Sequence, residues 1–206
     1  MNKKILIIIA VVVIIAGIFG INSLSLKTVS IDFKRDGFSA TILNDKGKVV
    51  KEVPAGSGKK SVKLKEGSYG VVPKGTNIDD RALTLIVTAS GASIEVDPGY
   101  SKEHLQNLLK EEDVAIRSLL ATTYPGVINA FTINPGELYL YGEWYATTLV
   151  QQSPGPGSNG DVYRTVLHKE SGNWKVVASP VIVLSAKEHP SVPRAILDQI
   201  NIETGY

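Results

Sequence analysis

Residues Ile5–Ile21 read ILIIIAVVVIIAGIFGI, seventeen positions without a charge, preceded by Lys3 and Lys4. This run constrains the chain more than any other stretch, because a helix that is apolar all round has no face to offer to water. It sits at the short end of a membrane span, about 17–25 residues. It fits either a retained signal anchor or a cleaved signal peptide. A signal peptide has an apolar core of about 7–15 residues followed by a small-x-small cleavage site. Here the core is longer, the exit GIFGINSLSL has no Ala-x-Ala pattern, and no cysteine is present to carry a lipid. The expectation is therefore a membrane anchor over residues 1–26, with the lipid bilayer as the partner of residues 5–21. Lysines stand before the run, and none follows it until Lys27. That asymmetry places the N-terminus inside and everything from about Asn22 outside the cytoplasm, a single-pass cell-membrane location.

The charge balance then has to be read without the anchor. Removing Lys3 and Lys4 from the 22 basic residues leaves 20, against 20 acidic ones. A neutral remainder with no basic run argues against nucleic acid as a partner. The lack of cysteine rules out disulfides and thiolate chemistry. About 180 residues are enough to hold an exported fold by its core alone.

Residues 27–98 alternate with period two. TVSIDF carries Val29, Ile31 and Phe33 on one parity, and FSATIL carries Phe38, Ala40 and Ile42. KVVKEV, SVKLK, SYGVV, RALTLIV and ASIEV follow, divided by Asn44–Gly47, Glu66-Gly67 and Ser90-Gly91. Seven short strands with turn residues between them predict a small all-β sandwich. At VKLKEGSYGVVPKG, the series Leu64, Gly67, Tyr69, Gly75 resembles a PEGA-type module. The tetrapeptide that names that family is replaced by Lys65-Glu66-Gly67-Ser68. The resemblance covers about seventy residues and implies a spacer or adhesive support.

Asp97-Pro98-Gly99 breaks the period. Leu105, Leu108, Leu109, Ala115, Ile116, Leu119 and Leu120 then form one helical stripe. Ser101 is placed as an N-cap, and Tyr124-Pro125-Gly126 as the stop. VINAFTI, ELYLYGEWYATTLVQ, DVYRTVLHKE and NWKVVASPVIVL read as four strands, and SVPRAILDQIN as a short final helix. Residues 99–206 are thus expected to be α+β, one long helix on a four-stranded antiparallel sheet. In element order this resembles cystatin-like and nuclear-transport-factor-2-like half-barrels. Taken together, FTINPGELYLYGEWYATTL, DVYRTVLHKESGNWKVVASPVIVLS and HPSVPRAILDQIN resemble a group of membrane-anchored exported proteins of candidate-phylum bacteria. That likeness implies no activity, cofactor or site.

No catalytic, cofactor or metal motif stands out. AGSGKKS, Ala55 to Ser61, lacks the phosphate-loop spacing and has Lys60 where a hydroxyl belongs. His104, His168 and His189 form no metal-spaced pair. Asn77, Asp79 and Asp80 are too few and too irregular for a calcium loop. SPGPGSNG, Ser153 to Gly160, reads as an exposed connection, with a recognition loop as the alternative.

The stretch with most to say is ELYLYGEWYATTLVQQ. Read as one strand, it places Leu138, Leu140, Trp144 and Ala146 on a core face toward the helix. Tyr139, Tyr141, Glu143 and Tyr145 then share the opposite face. Tyrosines tolerate one wet end and a glutamate resists burial. Those four residues are the candidate binding platform for an envelope protein or a glycan, unless the final helix or the first domain covers them. The functional expectation is a single-span envelope protein whose α+β unit is a binding or assembly module. The alternatives are an exported enzyme with a pocket between helix and sheet, and a structural envelope or appendage subunit.

Overall fold

The computed structural model describes residues 25–153 and 160–202. The apolar run of residues 5–21 lies outside them, as do residues 154–159 of the Pro/Gly-rich connection. Among the described residues no helix is long and apolar enough to cross a membrane. The expected fold class is corrected accordingly: the described chain is mostly β-sheet with three helices and no membrane-spanning one. The longest helix is long enough, but Lys102, Glu103, Lys110, Glu111, Glu112, Asp113 and Arg117 lie along it, and hydrocarbon excludes such a charge load. The expected single-pass location is corrected in the same way: no described helix is long and apolar enough to carry it.

The chain divides into two compact units, Met1–Pro98 and Gly99–Tyr206. In the first, β1 (Lys27–Phe33), β4 (Gly58–Leu64) and β7 (Ala92–Val96) form a three-stranded sheet of order β4-β1-β7. β3 (Val49–Val53), β2 (Ser39–Leu43), β5 (Gly67–Lys74) and β6 (Leu83–Val87) form a four-stranded sheet in that order. The alternating apolar residues of both sheets meet in one core, with Val29, Ile31 and Phe33 packed among Phe38, Ala40, Ile42, Val71 and Leu85. Phe33 and Phe38 meet edge to face at 5.4 Å. Gly91 is required: its φ is +91°, and a Cβ there would lie 2.3 Å from the Thr28 carbonyl oxygen. β4 and β5, the strands of the PEGA-like stretch, belong to different sheets. The Tyr69 hydroxyl donates to the Lys65 carbonyl across the Gly67 corner at 3.0 Å.

The second unit opens with α1 (Lys102–Thr123), capped where the Ser101 hydroxyl accepts from the His104 amide. Gly126, at φ +91°, then redirects the chain into α2 (Val127–Ala130). The sheet follows as β8 (Phe131–Ile133), β9 (Glu137–Tyr139), β10 (Trp144–Gln151), β11 (Val162–Glu170) and β12 (Asn173–Val181). Its order is β12-β11-β10-β8, and β9 also pairs with β10. Between β8 and β9 the chain passes so close to β10 that a Cβ on Gly136 would sit 2.3 Å from the Ala146 carbonyl oxygen. α3 (Arg194–Ile202) closes the unit.

The expected four-stranded sheet with one long helix and a short final one is therefore five strands with three helices. One cause is local. VINAFTI divides into a helical turn and a three-residue strand. The other cause has wider effect. Glu137–Gln152 is not one strand but a hairpin. Leu140 (φ +57°) and Gly142 (φ +76°) turn the chain, and the Tyr100 amide holds the turn by donating to the Leu140 carbonyl at 2.7 Å. In the resulting register Tyr145 lies opposite Leu138, and Trp144 opposite Tyr139.

That register decides the faces. Leu138, Tyr145, Leu149, Leu167 and Trp174 pack with Ile116 and Leu120 of α1. Trp144, Ala146, Val166 and Ala178 pack with Ile196, Leu197 and Ile200 of α3, over Leu184 and Val192. Both faces of the sheet are core, enclosed between two helical layers. Trp144 and Ala146 do not face α1 as expected, and Leu140 is a 41% exposed turn residue. α3 is pinned in place as well as packed. The Asn201 side chain exchanges hydrogen bonds with the Leu184 backbone (Nδ2 to carbonyl 2.7 Å, amide to Oδ1 3.0 Å). Arg164 Nε donates to the Ile200 carbonyl at 2.9 Å.

Candidate functional site

The four residues expected to form a platform do not share a face. Tyr139 is half-buried on the α3 side of the sheet. Tyr141 lies in the turn, edge to face with Tyr100 at 5.3 Å. Glu143 is also in the turn, its carbonyl accepting from the Lys169 amide at 2.7 Å. Tyr145 is 1% exposed in the α1-side core. Burial pushes its hydroxyl pKa up, against hydrogen bonds to Thr147 and the Gly136 backbone. The single-strand assumption produced the shared face, and the αL turn removes it.

The other polar candidates resolve into local contacts. His104 meets the Tyr100 ring edge to face at 4.6 Å. His168 stacks on Trp144 at 4.1 Å with a 23° tilt, and the His189 amide donates to the Ser185 carbonyl. Asp79 is paired with Arg81 at 2.6 Å, and no metal-holding group of acids and histidines occurs among the described residues. Ala55–Ser61 runs into β4 with no helix after it.

One polar cluster ties α1 to the sheet. The Glu112 carboxylate accepts from Lys169 Nζ at 2.5 Å and from Trp174 Nε1 at 2.7 Å, and Lys169 Nζ lies 5.5 Å from the Trp174 ring centre. Burial works to raise the Glu112 pKa. The hydrogen bonds from Lys169 and Trp174 and the Lys169 charge outweigh it and hold the carboxyl below its ordinary value. Every strong group in the cluster is used by another member, so its role is to clamp helix to sheet.

A concave feature lies at the C-terminal end of α1. A cleft of about 460 Å³ is lined by Tyr124, Pro125, Gly126, Val127, Ala130, Phe131, Leu149, Tyr163, Ser179 and Pro180. Its walls come from four places in the chain. Gly126 lets the chain leave α1 sharply, so Tyr124 and Val127 stand on either side of a corner. Phe131 starts β8, and Leu149 and Tyr163 are cross-strand partners on β10 and β11. On β12, Ser179 and Pro180 together oppose the single residue Thr165, since Arg164 pairs with Val181 and Val166 with Ala178. This is a β-bulge on an edge strand, where a proline without an N–H is tolerated. It bends β12 at the cleft.

The rings of Phe131 and Tyr163 stand 5.4 Å apart at 85°. No described lining residue carries a charge, and the only side-chain polar groups are the hydroxyls of Tyr124, Tyr163 and Ser179. Size and lining match those of small-molecule sites, about 300–1,000 Å³, mostly apolar with a few polar groups. Sequence reading passed over these residues because Tyr124-Pro125-Gly126 looked like a helix stop and nothing more. The one available signal was Pro180 inside an apparent strand, which marks an edge or a bulge.

No family model matches the sequence, and no curated protein does. Among solved structures the chain is similar to a DUF3823 family protein from Bacteroides ovatus, at 11% identity over 75% of this chain and 93% of that one. The TM-score is 0.29, too loose a likeness to bear on fold or function.

Proposed function

We propose that residues 99–206 act as a binding module, and that the cleft between the end of α1 and the sheet is where it takes an apolar ligand. The observation that carries this reading is a 460 Å³ concavity with three aromatic and two proline side chains and no charged one among its described lining. Apolar surface of that kind is costly to leave against water and favourable to cover. The enzyme alternative needs an acid or base within reach of a bound substrate. Among the described lining residues the tyrosine and serine hydroxyls are the only side-chain groups that could transfer a proton, so binding is the better-supported class.

The test is amide chemical-shift mapping on the full chain with a mixture of small neutral apolar compounds. Shifts are expected at residues 124, 126–131, 149, 163 and 179. They should vanish in Ala130→Trp, which fills the cleft from an exposed position. Shifts scattered over the surface, or unchanged in Ala130→Trp, would overturn the reading.

A further inference from the structure

The lining also specifies what kind of apolar ligand fits, provided the binding reading above holds. Phe131 and Tyr163 meet at 85° with centroids 5.4 Å apart, so their planes form a corner. A third ring placed in such a corner stacks offset on one ring and presents its edge to the other. Both are favoured arrangements of aromatic quadrupoles. A saturated ring of the same size gains the burial but not this term. Tyr124 also lines the cleft, so a flat ligand has a third aromatic side chain within the same lining.

Charge is the second constraint. With no charged group among the described lining residues, a carboxylate or ammonium carried into the cleft would lose its water without gaining a counter-ion. A hydroxyl or carbonyl on the ligand would instead find the hydroxyl groups of Tyr124, Tyr163 or Ser179. Volume is the third. The cleft lies within the range of drug-sized sites, so a fused two-ring system suits it better than a single small ring.

We infer that the cleft recognises a neutral, planar, fused-ring aromatic molecule bearing a hydroxyl or carbonyl group. The experiment uses three matched probes on the full chain: 2-naphthol, its saturated counterpart 2-decalol, and the anionic 2-naphthoate. Affinities are read from amide shifts at cleft residues. 2-Naphthol should bind about fivefold more tightly than 2-decalol, the size of an aromatic pair term, and at least about tenfold more tightly than 2-naphthoate. Phe131→Leu keeps an apolar side chain and removes the corner. It should bring the 2-naphthol to 2-decalol affinity ratio down to about one.

The failures are separable. If none of the three probes perturbs the cleft, the binding reading itself falls. If 2-decalol binds as tightly as 2-naphthol, the cleft stands and the aromatic preference is wrong. If 2-naphthoate matches 2-naphthol, the requirement for a neutral ligand is wrong. A preference that survives Phe131→Leu would show that the ring corner does not produce it.

Discussion

Tyr145→Ser separates the two ways of reading Glu137–Gln152. On an outward platform, a tyrosine replaced by serine would cost little. In the hairpin register, Tyr145 is 1% exposed, packed with Leu138, Leu149 and Ile116, and 6.4 Å from Trp174 in an edge-to-face contact. Removing a fully buried aromatic side chain costs about 3–5 kcal/mol through lost transfer energy and the cavity left behind. Serine adds a hydroxyl to that cavity, so the upper half of the range is expected. Tyr141→Ser is the internal comparison. Its main loss is the edge-to-face contact with Tyr100, about 0.5–1.5 kcal/mol. The assay is urea unfolding followed by tryptophan fluorescence. Both tryptophans, Trp144 and Trp174, lie in the second unit, so the signal reports that unit alone. With a slope of about 1.5 kcal/mol/M, the midpoint should fall by about 2 M or more for Tyr145→Ser and by less than about 1 M for Tyr141→Ser. A Tyr145→Ser loss below about 1 kcal/mol, or one no larger than that of Tyr141→Ser, would refute the hairpin register and restore the shared tyrosine face.

Four further outcomes follow from the second unit and are read by the same fluorescence. Gly136→Ala should cost at least about 2 kcal/mol, because its Cβ would meet the Ala146 carbonyl at 2.3 Å. Gly172→Ala, with a positive φ but open space around it, should cost only about 1 kcal/mol. Glu112→Gln should cost about 1–2 kcal/mol at neutral pH through the weakened bonds to Lys169 and Trp174. Because the Glu112 pKa is lowered in the fold, its contribution is present above the ordinary value of 4.5 and is lost as pH falls through the lower folded value. The gap between wild type and variant should therefore close below about pH 4.5. Asn201→Ala removes both hydrogen bonds that pin α3 to Leu184 and should cost about 1–3 kcal/mol; an unchanged midpoint would mean that packing alone holds α3.

What the sequence determined by itself was local and periodic. Val29, Ile31 and Phe33 alternate because a pleated strand alternates its side chains, and all three lie in one core. Ser101 caps α1 because a short hydroxyl side chain can reach a free amide in the first turn. Only the tertiary structure decided the rest. Leu140 is not a residue that propensity would place at φ +57°. It is held there by the Tyr100 amide, from a segment forty residues earlier in the chain. Four residues so removed from the strand reverse which neighbours Trp144 and Tyr145 meet, a change that parity counting along one strand does not contain. Glu112 finds Lys169 and Trp174 only across 57 and 62 residues of chain. The cleft was beyond sequence reading for the same reason. A helix stop, a strand start, a cross-strand pair and a bulge are each ordinary in isolation, and they make a concave apolar surface only when the sheet brings them to one end of α1.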